Sequence, residues 1–283
     1  DQIDVLKAAQ IVHEEGIGFP ILLGNQEIIK ELKEEIGFDT EVPVFDPKTK
    51  ESEAKRLEYA KHFWETRKRK GITLLDAEKW MRERNYFGLM MVNTGEADAL
   101  VTGYSRSYPS TIKPVIQLID KAPGVSKIAT TNMMMTARGP IFLSDTAINP
   151  NPSADDLARI ALMTAKTVKM FGMDPVIAMV SYSNFGSSHN EGPSKVSQAV
   201  AYLHENFPDL IVDGEIQTDF ALNSEMLKSK FPFSKLVNKK VNTLIFPNLD
   251  AANITYKLLK ELNKAESIGP IILGLDKPVH VFQ

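Results

Sequence analysis

A chain of 283 residues that is 43% hydrophobic and 24% charged is long enough for one large or two medium globular domains. Its formal net charge of −3, with both signs well mixed, excludes the basic footprint of a nucleic-acid-binding protein. The sequence has no cysteine, no signal peptide and no apolar stretch of the roughly 18 residues that a membrane helix needs, so we expect a cytoplasmic protein without disulfides or thiolate chemistry.

Apolar strand-like runs alternate with amphipathic helices along most of the chain. The predicted strands are 20–23, 42–44, 88–92, 99–101, 140–143, 176–180, 210–212, 243–246 and 270–273. The predicted helices include 52–69, 155–170, 194–206 and 251–265. Continuous apolar strands between helices predict mostly parallel sheets buried on both faces, and their number predicts an α/β fold with two lobes.

The two ends of the chain and several missing motifs narrow the possibilities. Asp1 opens directly into a helical pattern, and residues 279–283 (VHVFQ) end the chain on an apolar run, so we interpret the chain as a piece of a longer polypeptide. It carries no dinucleotide fingerprint, no P-loop, no GxSxG elbow and no HExxH pair. Its five histidines are scattered, and no metal site is predicted.

Three consecutive predicted strands are followed by short polar loops. The loops comprise residues 181–188 (SYSNFGSS), 213–217 (DGEIQ) and 248–253 (NLDAAN). Because the carboxyl ends of parallel strands converge at one sheet edge, we predict a ligand site there, with hydroxyls and backbone N–H groups able to bind phosphate or carbonyl oxygens. The first loop is equally explained as a turn with capping serines, and the carboxylates of the second either perform acid–base chemistry or order the loops.

Four further segments each have two interpretations. The basic cluster 67–71 (RKRKG) suits a helix C-terminus or a grip on a phosphorylated ligand. His189 lies either at a cleft mouth or on a solvated loop, and residues 104–108 (YSRSY) either line the same cleft or form a surface loop. The three methionines 133–135 are interpreted as core filler rather than a ligand surface.

Together, several stretches of this sequence resemble the phosphate acetyl/butyryltransferase family. From about residue 15 to the end, the matching stretches are 97–103 (ADALVTG), 122–125 (APGV), 213–217 (DGEIQ), 245–254 (IFPNLDAANI) and 269–278. The resemblance implies a two-lobed α/β/α fold of the isocitrate/isopropylmalate dehydrogenase type, with an interlobe cleft and at least a homodimer. It further implies a first lobe of residues 1–125 completed by 271–283, and a second lobe of residues 126–270.

The same resemblance implies transfer of an acetyl group between phosphate and coenzyme A, with arginines holding the phosphate. Arg67 matches one family arginine, Lys113 stands where the family has a second, and Gln283 stands where the family has a catalytic serine. A family lysine is missing from the loop at 183–187. The residues that we expect to bind acyl-CoA or phosphate are Arg67, Lys113, Ser183, Asn184, Gly186, Ser187, Asn248 and Asn253.

These departures from the family pattern favour a sensor over an enzyme. We predict an acetyl-CoA-binding, allosteric regulatory domain, similar to the C-terminal phosphotransacetylase domain of bacterial NADP-dependent malic enzymes, which acts in cis on a malic enzyme catalytic part. NADP and a divalent metal would then bind only in that absent part. The alternatives are a working phosphate acetyltransferase and a purely structural oligomerisation domain with a relic cleft.

Overall fold

The computed structural model describes residues 2–105, 107–264 and 266–282, with only the backbone of Asn263 described. The chain divides into two compact units. The first is built on the residues up to Asp120 together with Lys277–Val279, and the second on Lys121–Asp276 together with the residues from His280 onward.

The first unit is mostly helical. In chain order its elements are α1 (Ile3–Glu14), β1 (Leu22–Leu23), α2 (Gln26–Ile36), β2 (Val44–Phe45), α3 (Glu53–Arg67) with a 3-10 turn at Lys68–Lys70, α4 (Leu74–Trp80), α5 (Arg84–Thr94), β3 (Leu100–Thr102) and α6 (Tyr108–Leu118). Strands β1 and β2 pair in parallel. The backbone N–H of Leu100 donates to the carbonyl of Pro278, which ties the returning chain to β3.

The predicted strand at 88–92 is wrong, because these residues lie in the middle of α5. Helix α5 is buried along almost its whole length, so its sequence lacks the polar face that would mark it as a helix. Gly88 has a packing role in this helix. A Cβ added at Gly88 would lie 2.8 Å from a methyl carbon of Leu23 and 3.0 Å from one of Leu100, so the glycine lets β1 and β3 approach.

The second unit is a regular α/β layer structure. Its elements are β4 (Ala129–Thr136), β5 (Gly139–Ser144), α7 (Ala154–Met170), β6 (Val176–Val180), α8 (Glu191–Asn206), β7 (Ile211–Ile216), α9 (Thr218–Leu222), α10 (Ser224–Lys230), β8 (Thr243–Ile245), α11 (Leu249–Asn263) and β9 (Ser267–Leu273); β10 (Val279–Val281) starts in the first unit. Helix α7 begins with a capping box in which Ser153 and Asp156 exchange hydrogen bonds.

Six strands of the described residues form one sheet in the order β7-β6-β8-β5-β4-β9. Strands β5, β8, β6 and β7 run parallel, whereas β4 is antiparallel to both β5 and β9. The sequence therefore predicted the mostly parallel sheet correctly and missed β4, whose threonines, asparagine and methionines do not form a plain apolar run.

The two faces of this sheet bury alternate residues of each strand. In β6, Ile177 and Met179 pack towards α7 and α8, whereas Val176, Ala178 and Val180 pack towards α9, α10 and α11. This alternation is the two-residue period of a strand covered by helices on both faces. The methionine prediction is confirmed for Met133 and Met134, which are buried, and is wrong for Met135, which is exposed near the strand end.

In the described ranges, no helix is both long and apolar enough to cross a membrane.

Candidate functional site

The parallel strands of the second unit deliver four loops to one sheet edge. Since β5, β8, β6 and β7 are neighbours with the same direction, the residues that follow them lie side by side at the carboxyl edge. This edge is where open α/β sheets bind ligands. Strand β7 extends further than predicted, so that Asp213 and Glu215 belong to the strand and Gln217 follows it.

The loop after β6, residues 181–188, is called the serine loop below. Ser183 is fully buried, and its hydroxyl lies 3.0 Å from the hydroxyl of Ser187 and 3.1 Å from Glu215 Oε1. The same hydroxyl accepts the backbone N–H of Ser188 at 3.0 Å. Ser187 Oγ accepts the N–H of Asn184 at 3.0 Å. Ser183 is therefore an internal support of the loop, whereas Gly186 and Ser187 are exposed.

Glu215 holds the serine loop from the neighbouring strand. Its Oε1 accepts the N–H of Gly186 at 2.5 Å as well as the Ser183 hydroxyl, and its carbonyl accepts the N–H of Phe185 at 2.8 Å. The side chain is only 1% exposed. Its second oxygen, Oε2, is buried and has no hydrogen-bond partner within the described residues.

Phe185 and Gly186 shape the tip of the serine loop. Their φ angles are +47° and +90°, a left-handed conformation that a bulky residue adopts only when its surroundings fix it. The ring of Phe185 lies 5.0 Å from the rings of both Phe231 and Phe233, centroid to centroid. This aromatic cluster and the Glu215 bonds together determine where the exposed backbone of Gly186 points.

Asn184 and Gln217 connect the serine loop to the end of β7 by a reciprocal pair of hydrogen bonds. Asn184 Nδ2 donates to Gln217 Oε1 at 2.9 Å, and the Gln217 N–H donates to Asn184 Oδ1 at 2.8 Å. Gln217 Nε2 also donates to the carbonyl of Tyr182 at 2.7 Å. The side-chain oxygen of Asn184 and one hydrogen of its NH₂ group are thereby used in the loop, so in this conformation Asn184 supports the serine loop.

The carboxylate of Asp145, directly after β5, is the centre of a second hydrogen-bond network. Its Oδ1 accepts from the N–H and hydroxyl of Thr130 at 3.0 and 2.5 Å and from the N–H groups of Ala147 and Ile148 at 3.2 and 3.3 Å. Its Oδ2 accepts from the N–H and side-chain amide of Asn149 at 2.9 and 2.5 Å. With all its acceptor capacity used and 3% exposure, this carboxylate orders the loop and is not available as a base.

The two predicted asparagines after β8 have mainly structural contacts. Asn248 is the N-cap of α11, with its Oδ1 accepting the N–H of Ala251 at 2.9 Å. Asn253 Nδ2 donates to the carbonyl of Thr146 at 2.9 Å and so connects α11 to the loop after β5. The structure therefore places both residues near the carboxyl edge, but separately from the hydrogen-bonded network of the serine loop.

In the first unit, Arg67 is fixed against the helix that carries Lys113. The Arg67 guanidinium donates to the carbonyl of Gln117 at 2.7 Å and to Asp120 Oδ1 at 2.9 Å. Lys113 lies one turn before Gln117 on α6 and is exposed. The Arg67 side chain therefore contacts the end of the helix that carries Lys113, and its Nε and one terminal nitrogen are engaged by Gln117 and Asp120.

The other segments singled out in the sequence have varied positions. Of the basic cluster, Lys68 pairs with Glu65 at 2.5 Å and Arg69 is exposed. Tyr104 hydrogen-bonds to Asp4 and is itself exposed. Gln283 and Arg106, which belong to predicted site segments, lie outside the described residues.

A pocket of about 260 Å³ lies beside the serine loop, within the second unit. Its lining comes from the serine loop and the residue after it, from one face of α8 and from β7. The lining residues are Gly186, Ser188, His189, Ser194, Ser197, Gln198, Ala201 and Glu215. A larger pocket of about 340 Å³ beside α2 in the first unit contains none of the predicted site residues. His189 is exposed at the pocket that contains the serine-loop glycine.

The sequence pointed to the serine loop and to the carboxylates of residues 213–217, but not to Asp145, which organises the loop after β5. Asp145 follows a strand that was predicted, yet two of its six hydrogen bonds come from Thr130 in β4, a strand that was not predicted. For Glu215 the sequence left acid–base chemistry and loop ordering open, and the structure shows the ordering contacts. Asp213 likewise orders a loop, accepting from the Ser234 hydroxyl and the Lys235 N–H, both at 2.8 Å. Within the ranges that the structure describes, no three His, Cys, Asp or Glu side chains are grouped as metal ligands would be.

Comparison with known proteins gives consistent matches over the whole chain. Residues 1–283 match the family described as "Phosphate acetyl/butaryl transferase". A protein of Thermoanaerobacterium thermosaccharolyticum named phosphate acetyltransferase is 40% identical over 97% of this chain and 84% of its own. An NADP-dependent malic enzyme of Haemophilus influenzae is 36% identical over 98% of this chain, which spans only 37% of that protein.

The fold has a close structural counterpart as well. The crystal structure of a phosphotransacetylase from Streptococcus pyogenes superimposes with a TM-score of 0.90 at 36% identity, covering all of this chain and 85% of that one. The mixed α/β fold predicted from the sequence is therefore confirmed.

Proposed function

This chain belongs to the phosphate acetyl/butaryl transferase family, and from that premise we propose that it is a working phosphate acyltransferase. The reaction is acetyl phosphate plus coenzyme A giving acetyl-CoA plus phosphate, or its reverse. The thiol sulfur forms a bond to the acetyl carbon, the bond from that carbon to the phosphate oxygen breaks, and the thiol proton ends on the released phosphate. Family membership with coenzyme A substrates supports this proposal over the sensor favoured by the sequence departures.

The observation that carries the proposal is the intact architecture of the serine loop. Losing the family lysine has not disordered this loop, because Glu215 and the Phe185 cluster hold it at the sheet edge where ligands bind. Gly186 and Ser187 are exposed there, with the Gly186 N–H donating to Glu215 and the Ser187 hydroxyl bonded to Ser183. A loop that is held in one conformation at this edge can position a substrate for reaction.

We assign the remaining predicted residues as follows. Arg67 and Lys113 bind the phosphoryl group, Gly186 and Ser187 face the acyl or phosphate oxygens, and Ser183 and Asn184 keep the loop in shape. Asn248 and Asn253 order the start of α11 beside the loop after β5. Gln283 is assigned to the family's serine position from the sequence resemblance alone.

A second candidate is the acetyl-CoA-binding regulatory domain of a malic enzyme. The observation in its favour is the 36% identity to the Haemophilus influenzae malic enzyme over nearly this whole chain. In that case a malic enzyme part in cis would carry NADP and the metal, and acetyl-CoA would change its rate. The dehydrogenase-like two-lobed arrangement with an interlobe cleft, the lobe boundaries 1–125 with 271–283 and 126–270, the homo-oligomer and the cytoplasmic location all stay predictions.

The test compares variants of the full-length protein in a steady-state transacetylase assay. Arg67→Ala is expected to lower kcat/KM for acetyl phosphate about 100-fold or more, since a lost transition-state contact to an oxyanion costs about 100- to 1,000-fold. Arg69→Ala, an exposed arginine two residues away, is the matched control and should change the rate less than about twofold. Equal rates in the two variants would refute the role of Arg67 in binding phosphate. Measurable malate oxidation that responds to acetyl-CoA would instead favour the regulatory domain of a malic enzyme.

A further inference from the structure

The outer face of helix α11 carries a line of exposed apolar side chains. Ile254, Leu258 and Leu262 are 64%, 54% and 73% exposed. Their spacing of four residues places them above one another on the same side of the helix. The opposite side holds Ala252 and Tyr256, which are buried in the core against the sheet. The three exposed residues, called the α11 stripe below, therefore lie outside the core of the second unit and can contact a partner.

The α11 stripe distinguishes this helix from others in the same unit. Over their described residues, helices α8 and α10 each expose one large apolar side chain, Tyr202 and Met226, among polar ones. A helix that is apolar on two sides buries one side in its own core and the other against a further element or protein. Ridges formed by residues four apart are the usual contact between packed helices. The stripe therefore has the geometry of a helix–helix interface.

The charges along α11 indicate which partner fits. Asp250 lies eight residues before Leu258 and Lys264 lies six residues after it, and both are exposed. In an antiparallel pair of α11 helices with a twofold axis beside Leu258, the partner's Lys264 comes within two residues of Asp250, or about 3 Å along the axis. Ile254 then faces the partner's Leu262, so apolar meets apolar and cation meets carboxylate. A parallel pair would instead place each charge against its own copy.

Other charges near the helix do not oppose this arrangement. Each Lys257 lies equally far along the axis from the partner's Glu261 and from the partner's Lys257, so attraction and repulsion roughly cancel. Glu266 is not on this line, because the backbone turns at Lys264, where φ is +46°, and the Glu266 carbonyl accepts a backbone N–H of β4. Within the described residues, neither Asp250 nor Lys264 has an ion-pair partner in its own chain. Both can therefore pair with a second copy.

We propose that the outer face of α11 is a twofold interface between two copies of this chain, with Leu258 at the axis and Asp250 paired with the partner's Lys264. The arrangement is isologous, so each contact away from the axis occurs twice and the stripe is covered on both copies at once. This symmetry limits the assembly at this face to two chains, because no part of the stripe is left for a third. The inference does not depend on the proposed acyl transfer, and its tests measure assembly rather than turnover.

Sedimentation equilibrium of the full-length protein tests the apolar contact. Leu258→Glu places two carboxylates against each other at the axis, so we expect the dissociation constant at this face to rise at least about 100-fold and the mass of the assembly to fall by half. Leu75→Glu is the matched control, because Leu75 is a 75% exposed leucine on α4 of the first unit, and it should leave the mass unchanged. A wild-type protein with the mass of one chain, or a mass that Leu258→Glu does not lower, would overturn the inference. Circular dichroism checks that each variant keeps its fold.

Exchanging the two outer charges tests the antiparallel register. Asp250→Lys and Lys264→Asp each oppose like charges twice, so each should raise the dissociation constant about 5- to 10-fold. The double variant restores opposite charges and should return to within about twofold of the wild type. In one chain the two residues are 14 positions apart, or about 21 Å of helix, so only a contact between chains can produce this recovery. A double variant that assembles no more tightly than either single variant would overturn the proposed pairing.

Because the sequence has no cysteine, one introduced thiol gives a readout that does not require weakening the assembly. Leu258→Cys keeps a small apolar side chain at the axis and places two thiols opposite each other. Under mild oxidation it should form a disulfide-linked pair at least about tenfold faster than Leu75→Cys at the same protein concentration. Equal rates would overturn the inference. If the thiol of Leu258→Cys neither cross-links nor reacts with a maleimide, another protein or segment covers the stripe, and the second copy is ruled out.

Discussion

Replacing Asp145 by alanine tests whether a single carboxylate holds together the loop after β5. The substitution removes an acceptor that serves six donors, four of them backbone N–H groups. The N–H of Thr130 is fully buried, so it would be left unpaired at a cost of about 1–3 kcal/mol. The backbone N–H groups of residues 147–149 belong to half-buried residues and can instead donate to water, at a cost of about 0.5–1 kcal/mol each. The Thr130 hydroxyl can turn to Thr146 Oγ1, which lies 3.2 Å away. Together these contributions lower the free energy of unfolding by about 2.5–6 kcal/mol.

The assay must report on the second unit, because both tryptophans of the chain, Trp64 and Trp80, lie in the first. Amide hydrogen exchange of peptides spanning residues 129–149 meets this requirement, and the variant should lose protection there by an amount equivalent to that free energy. Asp155→Ala is the control: Asp155 is 58% exposed and pairs with Arg159 at 2.8 Å, so its loss should cost less than about 1 kcal/mol. If the two variants lose protection equally, the reasoning about Asp145 is wrong.

Three further predictions concern the two units separately. Lys113→Arg should raise kcat/KM for acetyl phosphate about fivefold in steady-state assays, because a planar guanidinium binds phosphate through two bonds; a lower value would refute the phosphate role of Lys113. Burial lowers the pKa of His280, so its neutral form is favoured in the folded state and its contribution to stability is lost as the pH falls below the ordinary histidine value of about 6.5. Between about pH 7 and about pH 5, the free energy of unfolding measured by urea melts should therefore fall less in His280→Asn than in the wild type. An equal fall in the two proteins would contradict this. Asn184→Ala removes the two hydrogen bonds to Gln217, so it should lower the free energy of unfolding by about 1–2 kcal/mol and speed amide hydrogen exchange in residues 182–188. Unaltered exchange in these residues would show that the two bonds do not order the loop.

The sheet of the second unit could be predicted largely because its strands follow simple physical rules. Strand β6 is a short apolar run between polar loops, and its predicted bounds 176–180 are those of the structure. The helices 155–170 and 194–206 were recognised because one polar face alternates with one buried face. Where both faces of an element are buried, as in α5, a helix and a strand give the same apolar run, and only the packing around Gly88 reveals which one forms.

The functional details depend on contacts that no local pattern encodes. Ser183 was expected to bind ligand and instead supports the loop, because Glu215, 32 residues later, accepts its hydroxyl hydrogen. The two residues meet only because β6 and β7 are adjacent in the sheet, and strand order is not visible in a single sequence. For the same reason the sequence marked Glu215 as one of several nearby carboxylates, without showing that one of its oxygens stays unpaired.

Thioester formation from acetyl phosphate and coenzyme A by the full-length protein shows whether this chain transfers acyl groups. The phosphate acetyltransferase of Thermoanaerobacterium thermosaccharolyticum, which is 40% identical, is the positive control under the same conditions. We expect thioester formation that requires both substrates and whose rate falls about 100-fold or more in Arg67→Ala. No thioester above the uncatalysed rate, with the control active, would contradict it.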